Sequence, residues 1–243
     1  MVAQQDEQAA EQNDGRVAAG RARDRAAVVL AFVSGATDAI GFLALGGTFT
    51  SVMTGNLVLF GTGLAHGEAD VWAHALAAIA AFVAGAAIGT RVAGTSSAAD
   101  PVWPAAVNRA LLVELVVLAV YAGFYWGSGN HPEGLLMAAL LALNSFALGL
   151  QSSAITRFGV SGLSTTYMTG TLTTLVVRLA SGRPLKDVSH SGTLLIALVV
   201  GAAVAAALLE WAEGLVPALQ LGGVALALGL GVWTTRRHGQ APR

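Results

Sequence analysis

The chain has 243 residues, of which 55% are apolar and only 11% charged; its mean hydropathy is +0.66 and its formal net charge −1. A water-soluble domain carries about 25% charged residues, so too little charge is present here to cover a solvated surface. The near-neutral balance, without a basic stripe, excludes nucleic acid as a partner, and the lack of cysteine removes disulfide and thiolate chemistry.

Residues 1–25 hold nine of the 27 Asp, Glu, Lys and Arg residues and no aromatic residue. Such a stretch buries too little apolar area to offset ordering, so it reads as a disordered cytoplasmic tail. Arg21, Arg23 and Arg25 stand directly before the first apolar run, which is too long for the core of a signal peptide. Eight apolar segments follow, at 27–46, 48–65, 72–93, 106–127, 134–156, 162–181, 190–211 and 215–234. Most approach the roughly 20 residues that cross a bilayer core as helix. The fold class expected is therefore all-α, a polytopic helical bundle in a membrane.

The second and sixth segments differ from the rest. TFTSVMTGNLVLFGTGLA and GLSTTYMTGTLTTLVVRLA are short and rich in Thr, Ser and Gly over their first halves. Lipid solvates hydroxyls and the Asn56 amide poorly, so these faces should lie against other helices or a wet cavity.

Both segments carry Met-Thr-Gly. Sliding 39–57 by 115 positions onto 154–172 matches Ala39/Ala154, Ile40/Ile155, Gly47/Gly162, Thr50/Thr165, Met53/Met168, Thr54/Thr169, Gly55/Gly170 and Leu57/Leu172. That is 8 of 19 positions, where about 2 or 3 would match by chance in so biased a composition. One inserted residue then brings His74 onto His190 and Gly85 onto Gly201. The reading is an internal duplication: a first half at 27–127, a second at 134–235, and a short basic tail at 236–243.

Two topologies compete. Eight crossings, the favoured arrangement, make the halves parallel repeats and put ten basic residues on the cytoplasmic side and three (Arg91, Arg109, Arg157) outside. Six crossings, with the second and sixth segments re-entrant, make the halves inverted repeats and gather all 13 basic residues inside. Both termini are cytoplasmic either way.

Two stretches carry a resemblance. SGATDAIGFLALGGTFTSVMTGNLVLFG supplies Gly35, Asp38, Ala39, Thr54, Gly55 and Asn56. GLQSSAITRFGVSGLSTTYMTGTLTTL supplies Gly149, Leu150, Gln151, Thr165, Thr166, Thr169, Gly170 and Thr171. With them the chain resembles the YoaK family of bacterial membrane proteins, also called DUF1275, over roughly residues 27–235. The resemblance implies a multi-spanning protein of the bacterial inner membrane, and it assigns no reaction and no solute.

Function therefore rests on polar residues within the spans. Asp38, midway along the first, is the most informative: an intramembrane carboxylate faces a cavity or a partner, so it is either a proton or cation-coupling site or a clamp between helices. Duplicated transporters place their sites at the repeat interface, on short or Gly-interrupted helices. On that basis Asp38, Thr54, Gly55, Asn56, Gln151, Thr169, Gly170 and Thr171 are the candidate solute or ion ligands. Glu114 is a second buried acid, five residues from Arg109, a poor helical spacing for a pair. His74 and His190 read as interfacial, Arg178 as reaching back to the membrane surface, and Gly85-x-x-x-Gly89 as a close-packing stripe. No metal-ligand spacing, catalytic motif or cofactor loop is present. The function expected is a secondary transporter or channel-like permease for a small solute. A non-transporting scaffold or partner subunit is the alternative, and an intramembrane enzyme has least support. The expected partners are the lipid bilayer, that solute and a second copy of the chain.

Overall fold

In the computed structural model, which describes residues 2–97, 100–158, 168–184 and 189–238 (side chains from 15 to 236), the chain is a helical bundle. Its helices are α1 (Val2–Ala44), α2 (Met53–His66), α3 (Ala69–Ala93), α4 (Ala105–Gly127), α5 (Gly134–Thr156), α6 (Met168–Ala180), α7 (Ser189–Trp211) and α8 (Val216–His238), with a 3₁₀ turn at Glu213–Leu215 before the last. The stretch expected to be a disordered tail is helical from Val2 onward. Its Ala, Gln, Glu and Arg residues are strong helix formers, and Ala19 and Ala22 are already buried.

Six of these helices are long and apolar enough to cross a membrane. The other two are not. At 14 and 13 residues, α2 and α6 reach about 20 Å at 1.5 Å per residue, against a hydrocarbon core of about 30 Å.

Contacts at the helix ends say how α2 runs. The chain turns after α1 through Gly46 and Gly47, both at positive φ, and a side chain at Gly46 would meet the His74 ring in the second turn of α3. So α3 starts at the end of the bundle where α1 stops. Between them the chain dips inward: Thr50 and Ser51 bond to Asp38, six residues back along α1 from its end. α2 then returns, and Gly63 in its last turn packs on Val71 and Trp72 at the start of α3. The six-crossing arrangement, held as the alternative on sequence, is the one these lengths and contacts fit.

Further pairs orient the rest. Trp126 at the end of α4 bonds to the Gly214 carbonyl before α8, and Asn108 near the start of α4 lies 3.5 Å from Thr235 near the end of α8. Thr37 meets Gln220 while Val33 meets Gly223, so α1 and α8 are antiparallel. α1 and α5 are central, with 67% and 50% of their apolar windows buried, whereas α3 and α7, at 17% each, are peripheral.

The outer helix α3 packs on α5 and the outer helix α7 on α1, through glycines set backbone to backbone. Gly85 of α3 lies on the Phe146 carbonyl and Gly149 of α5 on that of Phe82; Gly201 of α7 lies on the Phe32 carbonyl and Gly35 of α1 on that of Leu198. Small residues permit this approach, and in lipid, where helices gain little from hiding apolar surface, close packing is a main source of association. Leucine-rich layers fill the space between: Leu30, Leu111, Leu118 and Leu194 in one cluster, Ile40, Tyr121, Leu140 and Leu141 in the other.

Candidate functional site

The site is built from the last third of α1 and the loop that folds back over it. Asp38 is buried, and both of its oxygens are engaged. Oδ1 accepts from Thr50 N (2.8 Å), Thr50 Oγ1 (3.0 Å) and Ser51 N (2.7 Å), and Oδ2 from Ser51 Oγ (2.6 Å). Helix starts leave backbone N–H groups to be capped, yet Val52, at the N-cap of α2, supplies no side-chain hydrogen bond. Asp38 reaches across from α1 to hold the turn just before that helix, where a negative charge also suits the positive end of the dipole. Asn56 closes the same loop from within α2: its Nδ2 donates to the Phe49 carbonyl (2.6 Å), and its Oδ1 accepts from Phe49 N (3.0 Å).

Beside this clamp is a cavity of about 1210 Å³. One wall is α1, the loop and the first turn of α2, with Asp38, Phe42, Phe49, Ser51 and Thr54. Facing it is the start of α6, with Met168, Thr169, Gly170, Thr173 and Thr174. Leu198, Ala202 and Ala206 of α7 close another side, and Phe82 and Ser152 reach in from α3 and α5. The first turns of both half-length helices thus meet on one space. α2 leads away toward the end where α3 begins; along the chain α6 is followed by α7, whose Leu198, Ala202 and Ala206 line the same cavity.

Of the sequence candidates, Asp38, Thr54, Thr169 and Gly170 lie on the cavity wall, and Gly55, Asn56, Gln151 and Thr171 do not. Gly55 carries the Phe49 ring against its backbone. Asn56 is turned to Phe49, and Gln151 is buried with its Nε2 toward the Leu30 carbonyl (3.3 Å). Thr171 is buried on α6. Thr165 and Thr166, part of the second motif, lie outside the described residues, as does Gly162. Sequence reading did not single out Phe42, Phe49, Ser51, Phe82, Ser152, Thr173 or Thr174. For Ser51, Thr173 and Thr174 the signal was there, in the Ser- and Thr-rich starts of the two weak segments.

A second polar group ties the central helices. Gln220 Nε2 donates to Thr37 Oγ1 (2.9 Å) and Asn144 Oδ1 (3.1 Å), joining α1, α5 and α8. Glu114 is fully buried on α4; neither carboxylate oxygen has a hydrogen-bond partner among the described residues, and Arg109 is exposed. Outside the spans, Arg157 Nη2 donates to Asp100 Oδ1 at 2.7 Å. That bond, with one from Ser97 N, holds the Asp100 carboxyl below its usual range. No group of three His, Asp or Glu residues placed to hold a metal occurs among the described residues.

Six apolar spanning helices around a cavity walled by two half-length ones define a polytopic helical membrane protein. The chain belongs to the family described as "Protein of unknown function (DUF1275)", whose model matches residues 26–232. It is 35% identical over 155 residues to the UPF0700 transmembrane protein YoaK of Bacillus subtilis (strain 168). That match takes in 64% of this chain and 66% of the relative, so the chain spans just under two thirds of the relative's length. No solved structure matches.

Proposed function

We propose that this chain is a secondary transporter or channel-like permease of a small solute, bound near the bilayer midplane in the cavity between α2 and α6. The observation that carries this reading is the meeting of the first turns of two half-length helices on one cavity; in the six-crossing arrangement they run from it to opposite ends of the bundle. Transporters built from inverted repeats use discontinuous helices at the midplane in this way. The two halves are, on this reading, an inverted duplication, and the glycine crossings support it: the contacts of Gly85 and Gly149 in one pair match those of Gly201 and Gly35 in the other. Matching the crossings pairs Phe32 with Phe146 and Gly35 with Gly149. Asp38 then answers to Ser152, which also lines the cavity, rather than to Ser153 as the ungapped alignment has it.

Orientation follows from charge. Every Lys and Arg lies before the apolar part of α1, between the last turn of α3 and the second turn of α4, between α5 and α7, or after the apolar part of α8. None falls in 45–68, 128–133 or 212–215, at the other end of the bundle. The basic end is cytoplasmic by the positive-inside rule, so both termini face the cytoplasm of a bacterial inner membrane.

Proton coupling runs through Asp38 as a latch. An ionised carboxylate accepts the four bonds from Thr50 and Ser51; a protonated one has less acceptor capacity and releases the loop that carries α2. The test is uptake by proteoliposomes of a solute found by ligand-induced thermal stabilisation. Asp38→Asn should remain folded and lose uptake driven by a pH gradient, and uptake unchanged at every pH would end the latch. The scaffold alternative has its own support in Asn56, whose polar atoms serve the loop alone, and predicts that no solute stabilises the protein.

A further inference from the structure

The walls of the cavity specify a chemistry for what fills it. No Lys, Arg or His lines the cavity among the described residues. The one ionisable group among the described lining residues, Asp38, already receives four hydrogen bonds from the loop, so a cation would have to compete with the donors that fold it. An anion would find no positive side chain, and burying an unpaired charge is strongly unfavourable. The volume, about 1210 Å³, suits an organic molecule; ligand pockets commonly measure about 300–1,000 Å³.

Most of the surface is apolar and partly aromatic. Phe42 and Phe49 stack with ring centroids 5.1 Å apart, Phe82 joins them, and Ala202, Ala203 and Ala206 leave a smooth opposite side. The polar groups left for a solute are hydroxyls. Ser51 Oγ is engaged by Asp38 and Thr173 Oγ1 donates to the Thr169 carbonyl. Thr54, Thr169 and Thr174 line the cavity, and no side-chain hydrogen bond engages their hydroxyls among the described residues. A hydroxyl donates and accepts, so this set suits another hydroxyl or a carbonyl.

We propose that the solute is an uncharged, largely apolar organic molecule bearing one or two hydroxyl or carbonyl groups, an aromatic or branched alcohol being the simplest case. Its body packs on Phe42, Phe49 and Phe82, and its polar group bonds to the threonines that open α2 and α6. The proposal rests on the transport reading above and names the substrate class of that same site.

The test uses three molecules of one shape: 2-naphthylmethanol, 2-naphthoate and 2-naphthylmethylammonium. Each is titrated calorimetrically into the full chain in nanodiscs, with empty nanodiscs as the blank for lipid partitioning. The alcohol should bind at least about ten-fold more tightly than either ion, since the carboxylate would be buried without a cationic partner and the ammonium would have to take Asp38 from the donors of the loop. Thr54→Val and Thr169→Val should together weaken it more than their separate effects predict if both touch one ligand. Ala202→Phe, which fills the cavity, should abolish binding; if that variant misfolds, the threonine pair still decides. Preferred binding of either ion overturns the substrate class and leaves the transport reading intact. Binding of the alcohol untouched by these substitutions, or binding of none of the three, overturns the proposal. Alcohol that binds but is not carried into proteoliposomes keeps the class and sinks the transport reading.

Discussion

Asp38 takes hydrogen bonds from the backbone and the side chain of both Thr50 and Ser51, and Asn56 takes the backbone of Phe49. Sequence marks both residues as costly in lipid but does not say which way a polar side chain turns. Asp38, Thr54 and Thr169 could be found because their segments are unsuited to plain lipid. Asn56 turns to the Phe49 backbone rather than to the cavity, because the acceptor for its amide, seven residues back, exists only once the loop has formed. Glu114 carries a prediction of its own. Its oxygens are buried without hydrogen-bond partners among the described residues, and an unsatisfied buried polar group costs about 1–3 kcal/mol. Glu114→Leu should therefore keep the fold and raise thermal stability by an amount of that order, read by melting in detergent. Asp100 behaves differently, because its partner Arg157 lowers its pKa. A depressed aspartate stabilises the fold above its unfolded-state value of about 3.9 and loses that contribution as pH falls through the lower, folded value. Asp100→Asn should melt below the parent at pH 7, and the two curves should converge under acid.

At the scale of elements, six of the eight apolar segments lie in helices long enough to span, five of them close to their expected bounds, while α1 begins far earlier, at Val2. That much was legible because a 20-residue apolar run has few other uses. The crossing count was less so, since it turns on where α2 ends relative to α3, a tertiary contact between Gly63 and Trp72 that no period in the sequence encodes. The glycine crossings can be tested by contrast. A side chain at Gly85 or Gly201 would run into the backbone of the facing helix, whereas one at Gly61 or Gly222 meets nothing within 4 Å. Gly85→Val and Gly201→Val should each destabilise by about 1–3 kcal/mol. Gly61→Ala and Gly222→Ala should be neutral or stabilising by up to about 1 kcal/mol, as for any exposed helical glycine.

For the whole molecule, the decisive property is sidedness. The chain has no cysteine, so single cysteines report position without interference. Under the six-crossing arrangement, Glu68→Cys and His131→Cys should react with an impermeant maleimide added to intact cells, and Ser97→Cys only after permeabilisation. Eight crossings predict the reverse at all three positions, which makes the result unambiguous.

The exchange of partners between halves also bears on how the chain is made. α1 rests on α7 and α3 on α5, so no half leaves the ribosome with its own glycine surfaces covered. The groove at Gly35 stays open until its partner Leu198 of α7 is made, more than 160 residues later in the chain. A nascent chain stopped after α4 would hold α1 and α3 in the bilayer without their glycine partners, while α1–α4 and α5–α8 made separately and inserted together could still find each other. Assembly of this protein is in that sense closer to the docking of two subunits than to the folding of two domains in turn.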